Sequence, residues 1–89
     1  MDMPTLDSER LNPEFRTKDL NEAAFILCKG ARLLRLEKDE MTNDFYFVFV
    51  GRNCEDLANQ FWAREGSVPA KDYSDSLRTL KDRLFARGR

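Results

Sequence analysis

Histidine is absent from this 89-residue chain. Its absence removes the side chain most often used as a general base near neutral pH, and the commonest metal ligand. Ser67, Ser74 and Ser76 therefore have no histidine to activate them, and no nucleophilic mechanism is supported. Glycine is scarce. The four residues stand apart, so there is no G-x-x-x-x-G-K-S/T or G-x-G-x-x-G loop to cradle a nucleotide. Cysteine is limited to Cys28 and Cys54, which form no C-x-x-C pair. They read as reduced, apolar side chains within helices, and a disulfide between them would need an oxidising compartment. No apolar run approaches the roughly 20 residues that span a bilayer. Met1-Asp2-Met3-Pro4 is acidic and lacks the apolar core of a signal peptide. A cytoplasmic protein is expected, with no membrane contact. There is also no excess of one charge: the net value of −1 gives no global field to draw nucleic acid or anionic lipid.

The carboxylates gather as Glu37, Asp39 and Glu40, and as Glu55 with Asp56. The first group suits a solvated turn. The second suits the positive end of a helix. No catalytic residue, metal site, cofactor or small-molecule substrate is expected, and the chain reads as non-enzymatic.

What is present describes a folded module. A 42% hydrophobic and 11% aromatic content is too high for a disordered chain. Eighty-nine residues make one small domain that buries about 60–65% of its unfolded surface. The richest stretch is Phe45-Tyr46-Phe47-Val48-Phe49-Val50. Alternation puts three phenylalanines on one side and Tyr46, Val48 and Val50 on the other. Both sides are apolar, so this strand belongs inside a sheet covered on at least one face.

Around it the pattern is mixed. Residues 1–13, with Pro4 and Pro13, read as a flexible tail anchored at Leu6 and Leu11, and 14–89 as one compact domain. Glu14-Phe15-Arg16 is either a short edge strand or loop. Thr17 is placed as an N-cap with Asp19 in the first turn. Leu20, Ala23, Ala24, Leu27 and Cys28 then mark the buried face of a central helix, widened by Phe25 and Ile26 and ended by Gly30. Residues 32–37 read as a strand with Leu34 and Leu36 on one side and Leu33 and Arg35 on the other. A polar connection over 38–44 joins it to the aromatic strand in a hairpin. Asn53 caps a second helix with Cys54, Leu57, Ala58, Phe61 and Trp62 as its apolar set, and Gly66 ends it. Pro69 opens a third helix over 70–86, in which Tyr73, Leu77, Leu80 and Leu84 form a seam. The predicted fold is α+β: a small antiparallel sheet, the hairpin with or without a third strand, packed against about three helices. The expected core is Leu20, Ala24, Leu27, Leu34, Leu36, Phe47, Phe49, Leu57, Phe61, Leu77, Leu80 and Leu84.

Two sets of residues are candidates for function. Arg32 and Arg35 flank the first hairpin strand, and Arg78, Lys81, Arg83 and Arg87 crowd the last helix. Cations at a helix C-terminus complement its dipole, but together they also suit a phosphate backbone. Trp62, Tyr73 and Phe85 are candidates for a protein interface, where large aromatics concentrate binding energy. The aromatic strand shares F-x-F-V with the base-stacking strand of an RNA-recognition motif. It has Asn43-Asp44 where that strand has a basic residue and glycine, and Tyr46 where it has a small residue. Sheet scaffolding is the expected role.

Thr17-Lys18-Asp19-Leu20, Ala23-Ala24, Gly30, Arg32-Leu33-Leu34-Arg35-Leu36-Glu37, Phe47-Val48-Phe49, Phe61-Trp62 and Leu77-Arg78-Thr79-Leu80-Lys81 occur in this order. The pattern resembles a small bacterial and phage-associated domain family of unknown function, over about residues 14–86. The resemblance implies a compact α+β module and a phage or mobile-element setting. It carries no catalytic residues. The expected role is an accessory protein that binds nucleic acid or a nucleoprotein through its basic residues. The alternative is a protein–protein module, as a homodimer or as an inhibitor of a host complex such as a defence system.

Overall fold

The computed structural model of the chain describes residues 14–51 and 53–88. The expected tail, with Leu6 and Leu11, lies outside them. Three strands, β1 (Glu14–Thr17), β2 (Arg32–Lys38) and β3 (Phe45–Val50), form an antiparallel sheet in the order β1-β3-β2. The aromatic strand is therefore the central one, and residues 14–17 supply the third strand. Three helices, α1 (Leu20–Cys28), α2 (Cys54–Ala63) and α3 (Ala70–Gly88), complete the described α+β fold.

The register of β3 decides which residues face inward. Phe47 lies between Thr17 and Leu36, and Phe49 between Phe15 and Leu33. This side of the sheet meets α1, whose Ala23, Ala24 and Ile26 are fully buried with Phe47, Phe49 and Leu80. The close backbone approaches of α1 are to α3 and α2, and the phenylalanines of β3 fill the space between helix and sheet. Full burial of such side chains contributes about 1.5–3 kcal/mol each.

A bulge corrects the expected alternation in β2. The register shifts between Leu33 and Arg35, so Leu33 pairs with Phe49 while Arg35 pairs with Val48. One extra residue puts Leu33 and Leu36 on the core side. Leu34, expected in the core, is half-buried and outside the core cluster.

The cap of α1 also differs from the expected one. Asp19, not Thr17, is the N-cap: its Oδ1 accepts the Glu22 N–H at 2.8 Å. Thr17 ends β1, and its Oγ1 accepts the Asp19 N–H at 3.0 Å. At the other end the Gly30 N–H reaches the Leu27 carbonyl at 3.0 Å and the Ala31 N–H the Ile26 carbonyl at 3.3 Å. This pair is a Schellman closure, and Gly30 takes its left-handed position at φ 103°.

Helix α2 ends differently from expectation. Arg64, not Gly66, adopts the left-handed conformation, at φ 62°. Gly66 is needed for space instead, because a Cβ built on it would overlap the Phe25 ring. Pro69 sits just ahead of α3, its carbonyl accepting the Tyr73 N–H at 3.0 Å. The α3 seam packs as expected, with Leu80 fully buried and Tyr73, Leu77 and Leu84 half-buried against the core.

Gly66→Ala should therefore lower stability by about 1–3 kcal/mol, the usual cost of forcing a methyl group into a packed contact. Urea denaturation measures it. A variant as stable as the wild type would show that the Phe25 ring does not rest on Gly66.

Candidate functional site

The outer face of the sheet carries the first candidate cations. There Glu14, Arg16, Arg35 and Glu37 surround Val48, which is completely buried although no helix covers this face among the described residues. Arg35 donates to both oxygens of Glu14, at 2.9 and 3.2 Å, and through Nε to Glu37 at 2.8 Å. Arg16 donates to Glu37 at 3.0 Å from β1, across the central strand. Two arginines and two glutamates thus form a neutral lattice joining the outer strands over Val48. The Arg35 hydrogen bonds hold Glu14 below its ordinary carboxyl value of 4.5, and Arg16 followed by Arg35 does the same for Glu37. Arg16 is pushed up by Glu37, and Arg35 by Glu14 and then Glu37. Arg35 is thus engaged by two carboxylates while its side chain stays partly exposed. Arg32 lies opposite Val50 on the same face, is exposed, and pairs with no carboxylate among the described residues.

The cations of α3 divide. At about 100° per residue, Arg78 and Lys81 fall on the flank that carries Phe85, and Arg83 and Arg87 on the other. Ser74, Leu77, Arg78, Lys81, Asp82 and Phe85 line one groove of about 330 Å³. The Arg87 guanidinium lies 5.8 Å from the centre of the Phe45 ring, on the opposite flank. Since α3 packs on the inner side of the sheet, the six basic residues occupy three separate places. Phe47 and Phe49 are buried and offer no ring face for stacking.

The aromatic candidates are also separated. Trp62 is 62% exposed. Its indole N–H donates to Glu22 Oε2 at 2.6 Å, and its ring stands edge-on to Phe61 at 5.1 Å. Glu22 itself is buried. It occupies the third helical position, where a capping-box glutamate would turn back to the N-cap N–H. Thr17 already accepts that N–H, which frees the Glu22 side chain to reach α2. Tyr73 is half-buried, its hydroxyl 3.3 Å from Asn21 Oδ1, and burial followed by the Asp19 charge pushes its pKa up. Phe85 is 71% exposed but lies twelve residues, or about 18 Å of helix, from Tyr73.

Tyr73 instead lines a groove of about 450 Å³ with Phe25, Phe61, Arg64, Gly66, Ser67, Val68 and Ala70. Phe61 packs tilted against Phe25 at 5.8 Å, so the groove adjoins Trp62 through one ring. Lys29 Nζ lies 5.7 Å from the centre of the Phe25 ring. Among the described residues no cluster of three or more Cys, Asp or Glu could hold a metal, and no helix is long and apolar enough to cross a membrane. Both cysteines are free thiols; Cys54 is buried, which pushes its pKa up.

The family profile described as "Domain of unknown function (DUF5659)" matches residues 12–86. The chain belongs to this family. No curated protein and no solved structure matches it. The DUF5659 match spans all three strands, α1 and α2, and α3 as far as Ala86, so Trp62, Tyr73 and Phe85 lie inside it and Arg87 just beyond.

Glu22, Arg64 and the groove were not anticipated from the sequence of this DUF5659 domain. The Asp19-x-x-Glu22 spacing was a visible signal, but it points to a local cap, and the partner is forty residues away. The lattice makes a pH prediction. Lowered carboxyl pKa values stabilise the fold above the unfolded value, and that stabilisation is lost as pH falls through the folded values. The stability gap between wild type and Arg35→Met should therefore be flat from pH 7 to about 5 and close below 4.5. Thermal melts across this range measure it, and a gap independent of pH would contradict the lattice.

Proposed function

We propose that this protein is a non-enzymatic interaction module that binds another protein, with Trp62 as its anchor. The observation that carries the reading is an exposed tryptophan held in one orientation by a buried carboxyl group. Tryptophan is strongly enriched among interface residues that dominate binding energy. A side chain already fixed loses little freedom on binding, so more of its contact energy appears as affinity. The neutral lattice on the sheet supports the same direction, because it takes Arg35 out of the set available for phosphates. Free thiols suit a reducing cytoplasm. If the phage or mobile-element setting implied by the resemblance holds, a host complex is the natural partner.

Nucleic-acid binding is the second reading. It is favoured by the Arg78–Lys81–Phe85 groove, which combines two cations with an exposed ring. Such binding would weaken steeply with salt. Polarisation titrations with single- and double-stranded DNA and RNA at about 50 mM salt examine it. Binding lost with Arg78→Gln and Lys81→Gln would place this reading first.

The protein reading is tested by affinity capture with the wild type, Trp62→Ala and Phe85→Ala, each checked for folding by circular dichroism. A partner recovered with the wild type and Phe85→Ala, and lost with Trp62→Ala, is the expected outcome. Identical recovery with all three chains would overturn Trp62 as the anchor.

A further inference from the structure

We infer that the groove beside Trp62 takes an acidic segment of a protein partner that carries one large apolar side chain. The inference rests on the protein-binding reading and names the chemistry of what docks. The floor is apolar, made by the Phe25, Phe61 and Tyr73 rings with Val68. Gly66 closes one edge of the groove, lying so near Phe25 that a Cβ there would overlap the ring. Its volume of about 450 Å³ accommodates an aromatic or long aliphatic group. The single charged residue among the described lining is Arg64. Arg64 is exposed and engages no carboxylate among the described residues. The left-handed backbone at Arg64 fixes where that side chain leaves the end of α2. Lys29 adds a second cation above Phe25.

Charge complementarity therefore selects a carboxylate-bearing occupant. Continuity selects its size. Glu22, Phe25 and Lys29 follow one another at helical spacing along one side of α1, so Trp62, Phe61, the groove and Lys29 form one strip. A segment crossing Trp62 would place its next apolar side chain over Phe25 and its carboxylates near Arg64 and Lys29. A nucleic acid fits less well, because the groove itself offers one direct cation and nucleic-acid affinity needs several phosphate contacts.

Two-dimensional amide NMR of the whole chain tests this with four probes. Three are capped pentapeptides: a central phenylalanine flanked by aspartates, the same flanked by lysines, and a central alanine flanked by aspartates. The fourth is a ten-nucleotide thymidine strand. The expected result is saturable movement of the Phe61, Gly66, Val68 and Tyr73 signals with the first peptide, and weaker effects from the rest. Arg64→Gln should weaken the first peptide by about two- to fivefold, as for an exposed Arg–carboxylate pair. Ser67→Glu, which adds a carboxylate to the rim, should weaken it as well. Equal binding of the lysine-flanked peptide would overturn the acidic assignment while leaving protein binding intact. Stronger movement of the same signals by the oligonucleotide would overturn it in favour of nucleic acid. If no probe moves these signals while Trp62→Ala still abolishes capture of the partner, the groove inference fails alone.

Discussion

The hydrogen bond from Trp62 to Glu22 holds together the part of this structure that faces the outside. A carboxyl group in the first turn of α1 is buried, and a buried polar group without a partner costs several kcal/mol. Trp62 supplies the donor from α2. The bond ties α2 to α1 beside the contact of Phe61 with Phe25. Beyond Trp62, α2 ends at the left-handed Arg64, and the chain crosses Phe25 at Gly66. The groove, its cation and the exposed indole are neighbours at this junction.

The sheet divides the molecule in a complementary way. Its inner face is a packed hydrocarbon layer, with Ala23, Ala24 and Ile26 of α1 against Phe47 and Phe49. Its outer face is closed by charge. Four side chains from the two edge strands meet over Val48 and neutralise one another, with no second helical layer among the described residues. Long arginine stems cover apolar surface well while their guanidinium groups stay in water. The four-residue lattice is neutral, and Arg32 beside it remains exposed. On the helical side, Trp62 and Arg64 are exposed.

The strong periodicities were legible in the sequence. The two apolar faces of Phe45–Val50 announced a central strand, and the spacing of Tyr73, Leu77, Leu80 and Leu84 announced a packed helix. The central helix was equally plain from Leu20 to Cys28. Features that depend on register or on distant partners were not legible. Three leucines in Arg32–Glu37 fit simple alternation, and the bulge that breaks it answers to the needs of the neighbouring strand. Arg35 looked free because its partners Glu14 and Glu37 meet it only once β1 lies beside β3. Gly66 looked like a cap because a cap is the commonest local reason for glycine after a helix, whereas its actual reason is a ring on another helix. The aromatic strand is scaffolding, with Phe47 and Phe49 buried in the core.

Whether Glu22 and Trp62 act as a pair is measured directly by a double-mutant cycle. Chemical denaturation of the wild type, Trp62→Phe, Glu22→Leu and the double variant gives the coupling. The account predicts that Trp62→Phe costs about 1–3 kcal/mol in the wild type, as expected when a buried acceptor loses its donor, and almost nothing once Glu22 is leucine. Additive effects, within about 0.5 kcal/mol, would contradict it. They would mean that the indole is not held by the carboxyl group, and that its orientation does not follow from the burial of Glu22.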